Sequence, residues 1–270
     1  MQKLIEQYTG VDEDGRLTRQ LITKMEFDAT MRALDDYLSP GIKILEQGAA
    51  TGRYSLNFAK MGCDTTAVEL APEQVDILKR KAAEQGLALS VYEGNACSVP
   101  FVETCSQDVC VILGPLYHLQ TQAERDLAIS EAYRVLKTDG IIAVAYISRY
   151  FVAGMFAQQS PELITPEVLS TLLESGLVPS QLADGFFNVG YFATPAEIED
   201  LIAKGGFAKL RHLSTDGFGR YISSGINNFT SEQYETWLRY HLKTCDEPSL
   251  LGASNHGLVI ARKTVNSLTL

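Results

Sequence analysis

Two glutamates and two glycines stand at spacings that suit the capture of a nucleoside. In Ile44-Leu45-Glu46-Gln47-Gly48-Ala49-Ala50-Thr51-Gly52-Arg53-Tyr54-Ser55 an apolar run ends in a glycine-bearing turn, and helical residues follow. Gly48 and Gly52 permit backbone conformations and a close ligand approach that a side chain would block, and a helix opening near Gly52 offers free amides to a negative group. Glu69 ends the next apolar run about 20 residues on, where a carboxylate accepts both hydroxyl hydrogens of a ribose. Taken singly, the loop suits a tight turn without a ligand and Glu69 a solvated strand end; together they favour a nucleoside-containing cofactor.

The glycine order narrows the choice. A dinucleotide loop is G-x-G-x-x-G, which admits a pyrophosphate, whereas here the run from Gly48 is G-A-A-T-G with Glu46 just before it. A carboxylate beside the loop repels a pyrophosphate and attracts an ammonium, directly or through water. S-adenosylmethionine carries an ammonium and no phosphate. A nicotinamide-dependent oxidoreductase is correspondingly disfavoured.

These residues need a layered scaffold, and residues 42–147 alternate short apolar runs with longer helical stretches as such a scaffold requires. The pattern predicts strands at 43–46, 65–69, 89–92, 108–113 and 141–147. Helices are predicted at 55–61, from Pro72 to about residue 85, and through Ala128, Ala132, Val135 and Leu136 with Asp139-Gly140 as the stop. Crossover helices between strands imply a parallel sheet with helices on both faces. After Tyr150 the alternation breaks: residues 151–194 carry helical fragments punctuated by Pro161, Pro166, Gly176 and Pro179, as an inserted lid would. A helix at 195–204, a strand at 209–214, a second insertion and a strand at 257–262 complete the sheet. Residues 1–38 are expected to form a helical cap with Phe27, Met31, Leu34 and Leu38 on one face, and 39–270 the main domain, with helical insertions at about 149–194 and 215–253.

With those elements in place, the chain resembles a class I S-adenosylmethionine-dependent methyltransferase. Glu46, Gly48, Ala50 and Gly52 stand where the family's first motif has an acidic residue and G-x-G-x-G, and Glu69 matches the acidic end of its second strand. Gly94-Asn95-Ala96 matches the third motif, commonly G-D-A, whose polar side chain bonds the adenine amino group. Tyr133-Arg134-Val135-Leu136-Lys137-Thr138-Asp139-Gly140 is similar to the family's helix and turn after the fourth strand. Ala50 replaces the middle glycine, and Asn95 replaces aspartate while keeping an acceptor oxygen. Asp12-Glu13-Asp14-Gly15-Arg16-Leu17, Glu26-Phe27, Leu113-Gly114-Pro115-Leu116-Tyr117-His118-Leu119 and Ala145-Tyr146-Ile147-Ser148-Arg149 resemble one bacterial branch of the superfamily. The resemblance implies an α/β, Rossmann-like, seven-stranded and mostly parallel sheet with its last strand antiparallel, plus the helical lid insertions. It implies S-adenosylmethionine as cofactor, held by Glu46, Gly48, Ala49, Ala50, Gly52, Arg53, Glu69, Leu70, Asn95, Ala96 and Leu113.

A sulfonium methyl is already electrophilic, so such a protein chiefly holds a nucleophile in line and excludes water; no metal or covalent residue is needed. For a hydroxyl or protonated nitrogen a general base helps, and His118, just after the fourth strand, is the candidate, although the same position suits a helix cap or packing. His256 ranks behind it, His212 and His241 sit in structural or exposed patterns, and the four histidines lack a metal-ligand spacing. For the acceptor, Tyr117 stands to orient substrate, and Arg16, Arg149 and Tyr150 border the expected mouth, where a hold on an anionic group competes with a solvated role. Tyr8 belongs to a prelude that in similar enzymes folds over the cofactor. Phe186, Phe187, Tyr234, Trp237 and Tyr240 suit an acceptor pocket or simply core.

Composition bounds the partners. The 270 residues, 46% apolar and 21% charged, are those of an ordinary globular protein. Asp and Glu number 33 against 23 Lys and Arg, and a formal charge of -10 is a poor match for a phosphate backbone. Leu113-Gly114-Pro115-Leu116 also lacks the Asn/Asp-Pro-Pro-Tyr/Phe clamp typical of methyltransferases acting on amino groups of DNA bases. A small-molecule acceptor and no DNA are expected. An RNA-modifying methyltransferase would show a basic face from Lys204, Lys209, Arg211 and Arg220; a non-catalytic S-adenosylmethionine-binding protein would keep Glu69 and the loop without a nucleophile site. The 5 cysteines, free of CxxC pairs, suit reduced thiols. The opening Met-Gln-Lys-Leu-Ile-Glu is unlike a signal peptide, and no apolar stretch nears the roughly 18 residues of a membrane span. A cytoplasmic protein is expected, with its oligomeric state open.

Overall fold

Strands that are apolar on both sides need cover on both faces, and the chain supplies it in sequence order. The computed structural model describes residues 2–8, 15–179, 182 and 186–264, with Gln2 and Phe186 described in their backbone only. The Asp12-Glu13-Asp14 part of the N-terminal motif and the Phe186 side chain lie outside the described residues. Helices α1 (Gln2–Tyr8) and α2 (Leu21–Leu34) precede the alternation β1 (Lys43–Gln47), α3 (Arg53–Lys60), β2 (Asp64–Glu69), α4 (Pro72–Glu84), β3 (Ser90–Glu93), β4 (Gln107–Ile112), α5 (Gln122–Val135) and β5 (Leu136–Ile147). The first insertion holds α6 (Arg149–Gln159), α7 (Pro166–Ser175) and α8 (Phe186–Val189). After it come α9 (Pro195–Lys204) and β6 (Phe207–Ser214), then α10 (Ser223–Ile226), α11 (Ser231–Thr244) and α12 (Pro248–Leu251), and finally β7 (His256–Lys263).

The 7-stranded sheet has the order β3-β2-β1-β4-β5-β7-β6. Strands β1 to β5 pair in parallel, and β7 runs antiparallel to both β5 and β6. Alternate residues go to opposite faces, as the pleat requires. Leu45, Cys110, Ile112, Ile142, Val144 and Val259 pack with α5 and α9 residues such as Ile129, Ala132 and Leu201. Their neighbours Ile44, Val109, Val111, Ile141, Ala143 and Ile260 pack on the other face with Phe27 and Leu34 of α2 and Phe58 of α3.

One predicted boundary moves. Asp139-Gly140 does not end a helix: α5 stops at Val135, β5 begins at Leu136, and Asp139 takes a left-handed φ of 61° inside the strand. The strand's register slips there, from Gln107 opposite Leu136 to Val109 opposite Ile141, which accommodates the bend. Helix starts are set by local chemistry: Thr121 with Glu124, Thr194 with Glu197, and Thr230 with Gln233 form capping boxes.

The topology fixes where a site forms. The strand order reverses between β1 and β4, and the carboxyl ends of the strands open a crevice there. Because β7 is antiparallel, its first residue reaches that same edge, with His256 opposite Ile147 at the end of β5. Among the described residues, no helix is long and apolar enough to cross a membrane.

Candidate functional site

The crevice is a cavity of about 390 Å³ walled by the ends of β1, β2, β4, β5 and β7 and roofed by residues of α1, α6 and α8. Gly48, with φ +79°, turns the chain under it; a Cβ there would come within 2.3 Å of Pro115 Cγ. Ala50 also takes a left-handed φ, of 46°. For an L-residue that geometry costs about 1–2 kcal/mol, and it aims the Ala50 amide at Glu69 Oε2, 2.8 Å away. The other carboxylate oxygen accepts the Ala71 amide at 2.8 Å. Glu69 is thereby fixed from both sides at the wall of the cavity that it lines.

Glu46 is 2% exposed and takes a hydrogen bond from the Ser55 hydroxyl. Burial pushes its pKa up to about 8; the bonds from Ser55 oppose that rise, and the charge of Glu69 adds to it. Arg53 lies over the Phe27 ring, 4.4 Å from its centroid, and its Nε is buried without a hydrogen-bond partner among the described residues. Asn95 also lines the cavity, and its Oδ1 accepts the Cys97 amide at 2.9 Å.

Most of the sequence-predicted residues meet at this cavity: Glu46, Gly48, Ala49, Ala50, Arg53, Glu69, Leu70, Asn95, Ala96 and Leu113, together with Tyr8, Arg16, Tyr117 and His118. Three do not. Gly52 caps α3 with φ +84°, and its missing Cβ makes room for Leu78 Cδ1, which a side chain would meet at 2.0 Å; its glycine serves packing between α3 and α4. Arg149 is 4% exposed and turned away from the mouth, bonded to the Phe192 and Leu173 carbonyls and to Glu197. Tyr150 is exposed and lies against Gly252 outside the cavity.

His118 stands in the wall with its chemistry already engaged. Its Nε2 lies 2.6 Å from the Tyr8 hydroxyl, and the nearby Val189 backbone favours the charged ring. Burial drives its pKa down to about 4, against that pull. Of the aromatic candidates, Phe187 lines the cavity, whereas Tyr234 is buried against α2 with Ile22 and Met25, Trp237 packs on Phe218 and Phe229, and Tyr240 is exposed. The basic face that an RNA-modifying reading would need also lacks three of its four members. Lys209 pairs with Glu199 at 2.7 Å, Arg211 with Asp246 at 2.9 Å, and Arg220 turns inward to Glu26 and Asp216 at 3.0 Å.

That inward turn belongs to a cluster that sequence reasoning missed. Glu26 of α2, Asp216 after β6 and His256 at the start of β7 converge: His256 Nδ1 is 3.2 Å from Glu26 Oε2 and 3.2 Å from Asp216 Oδ2. Arg16 reaches Glu26 at 3.4 Å. The 3 side chains are close enough to share a cation. However, the two guanidinium groups already neutralise both carboxylates, and the arrangement is a charge-balanced hydrogen-bond network. A signal existed: Glu26 sits on the apolar stripe of α2 with Ile22, Ala29 and Ala33, all buried, where a carboxylate needs buried partners.

Comparison with known proteins agrees with this geometry. Residues 44–140 match a family model described as a methyltransferase domain. An uncharacterized protein of Mycobacterium tuberculosis (strain ATCC 25618 / H37Rv) is 28% identical over 177 residues, 60% of this chain and 63% of its own length. A ubiquinone/menaquinone biosynthesis C-methyltransferase of Shewanella halifaxensis (strain HAW-EB4) is 29% identical over 115 residues, 41% of this chain and 44% of that protein. A solved S-adenosylmethionine-dependent methyltransferase from Methanosarcina mazei superposes with a TM-score of 0.61 at 18% identity, covering 86% of this chain and 97% of that one. The chain thus spans less than two thirds of the length of the M. tuberculosis relative, and the structural likeness establishes the fold. The fold is that of class I S-adenosylmethionine-dependent methyltransferases. Residues 44–140 are the part of it that resembles the methyltransferase-domain model.

Proposed function

We propose that the protein transfers a methyl group from S-adenosylmethionine to an oxygen or nitrogen of a small, largely apolar acceptor. The observation that carries this reading is Glu69, whose two oxygens are each fixed by a backbone amide at the cavity wall. In this reading they accept the ribose hydroxyls, while Leu70, Asn95, Ala96 and Leu113 bound the adenine. Glu46 meets the donor's ammonium and Arg53, with its unpartnered Nε, the donor's carboxylate. When bound, the donor supplies an electrophilic methyl on its sulfonium. The chain's part is to align the acceptor and keep water out. Val152, Met155, Phe187 and Phe192 form the apolar wall facing the acceptor. We assign Tyr8 and His118 to one latch over the cavity, since Tyr8 OH meets His118 and Gln74 Nε2 donates to the Tyr8 carbonyl at 3.0 Å. The 5 thiols are free, which supports a reducing, cytoplasmic setting.

The test is calorimetric titration with S-adenosylhomocysteine, followed by a tritiated-methyl screen over phenols, carboxylic acids, amines and nitrogen heterocycles. Binding with label transfer to one class supports the reading, and no binding ends it. The Shewanella relative is named a C-methyltransferase, so the methylated atom is to be read from the product by NMR. His118→Asn is expected to raise KM for the donor about three- to tenfold while leaving kcat within about threefold, because it loosens the latch and removes no base.

Glu46 gives the binding a pH dependence of known sign. Below about 8 burial keeps the carboxyl protonated, and an ammonium beside it requires the carboxylate, so binding releases a proton. Affinity for the donor is expected to rise with pH towards about 8, at up to roughly tenfold per unit. Calorimetry in buffers of different ionisation enthalpy reads the released proton. Glu46→Gln should flatten the slope; an unchanged slope in that variant assigns the proton elsewhere.

A further inference from the structure

We propose that His256 is the general base for the acceptor, positioned by Asp216 and Glu26. The inference rests on the methyl-transfer reading and deepens it, since it fixes which kind of acceptor that site serves. His256 lines the cavity, and its Nδ1 faces the two carboxylates, 3.2 Å from each. That contact selects the tautomer with the proton on Nδ1 and leaves the Nε2 lone pair on the side of the ring away from the carboxylates. Asp216, 0% exposed, is held by the Ser254 hydroxyl at 2.6 Å, by the His256 amide at 3.1 Å and by Arg220 at 3.0 Å, so the ring has one orientation.

The charges around the ring suit a base. Burial opposes ionisation of Asp216, yet His256, Arg220 and Ser254 hold its carboxyl well below the usual range. Burial likewise opposes ionisation of Glu26, and His256, Arg16 and Arg220 hold it below its usual value. His241 faces the same carboxylate of Asp216 from α11, and burial lowers its pKa, so it adds little positive charge. Tyr117 and His118 face the cavity from the turn after β4; the Tyr117 ring centroid is 6.3 Å from that of His256. Arg16 and Arg220 balance the charges of Glu26 and Asp216 around the ring.

His118 offers no such arrangement, since its Nε2 is engaged by the Tyr8 hydroxyl, no carboxylate orients its ring, and burial pushes its pKa down to about 4. In the step assigned here, a lone pair of the acceptor atom forms the bond to the methyl carbon, and the carbon–sulfur bond breaks with its electron pair left on sulfur. The acceptor's proton passes to His256 Nε2 and afterwards to solvent. The acceptor class is therefore one that bears a weakly acidic proton on the methylated group: a phenol, an enol or the N–H of an aromatic ring.

Two measurements test this. In the wild-type protein with S-adenosylhomocysteine, ¹⁵N NMR of labelled histidine should show His256 as the Nδ1–H tautomer, its signal identified by its loss in His256→Asn. An Nε2–H tautomer overturns the proposal without any need for an acceptor. With a series of substituted phenols of graded acidity, His256→Asn should lower kcat about 10²–10⁴-fold for phenols that are neutral at the assay pH. The deficit should shrink towards none for phenols already ionised, and S-adenosylhomocysteine affinity should stay within about twofold. Asp216→Asn should lower kcat less and shift the rising limb of the pH profile. An equal deficit across the series, or a kcat within twofold of wild type throughout, overturns the assignment. Failure of the wild type to bind S-adenosylhomocysteine, by contrast, defeats the methyl-transfer reading itself.

Discussion

Replacing Glu69 with alanine should weaken S-adenosylhomocysteine binding by about 1–3 kcal/mol, roughly five- to 150-fold in Kd, as measured by calorimetry. The size follows from what the carboxylate does in the fold. Each oxygen accepts one backbone amide, from Ala50 and from Ala71, and in the proposed complex each also accepts a ribose hydroxyl. Charge-assisted bonds of this kind contribute about 1.5–3 kcal/mol when desolvated, less when water replaces them. The alanine variant also frees the Ala50 amide, whose left-handed backbone is stabilised by that bond. Glu69→Gln keeps one acceptor oxygen and sets its amide nitrogen against the other backbone N–H, so both its affinity and its Tm should fall between wild type and alanine. A loss of Tm in Glu69→Ala with Kd within twofold of wild type would make Glu69 a structural brace of the loop and remove it from ribose recognition.

The parts of this protein legible in sequence are those fixed by neighbours along the chain. The turn from Gly48 to Gly52 and the acidic end of β2 are local features, and the structure brings Glu46, Ala50 and Glu69 to one cavity as their spacing suggests. The alternation of apolar strands and capped helices between residues 42 and 147 is equally local. The network of Glu26, Asp216 and His256 is not, because its members lie on three elements far apart in the chain and meet only through the antiparallel entry of β7 beside β5. His256 looked ordinary in sequence since nothing near it in the chain names its partners. Gly52 misled in the opposite direction: it occupies a motif position, yet its missing side chain makes room for Leu78 of α4. Lys209, Arg211 and Arg220, three of the residues that an RNA-modifying reading would need on a basic face, pair with Glu199, Asp246 and Glu26, which only tertiary placement reveals.

Arg149 makes the same point with the largest expected change in stability. Its guanidinium bonds the Phe192 carbonyl at 3.0 Å, the Leu173 carbonyl at 2.7 Å and Glu197 Oε2 at 2.6 Å, tying the end of α7 to the segment before α9. Glu197 is also the capping-box residue of α9, so one carboxylate serves the helix start and the lid anchor together. Arg149→Ala leaves a buried carbonyl and a half-buried one without donors and removes the packed stem of the side chain. Each stranded carbonyl costs about 1–3 kcal/mol, and we expect about 2–4 kcal/mol in total. In a chain of this size that lowers Tm by roughly 5–15 °C. Arg149→Lys should recover only part of the loss, because an ammonium cannot reach three acceptors in the planar directions that the guanidinium does. Hydrogen exchange should locate the weakening in α6, α7 and the start of α9, with β1 to β4 unchanged. A side chain at the mouth that grips an anionic acceptor predicts the opposite pattern, a raised acceptor KM at unaltered Tm. A Tm within about 2 °C of wild type would therefore return Arg149 to the role its position in the sequence first suggested.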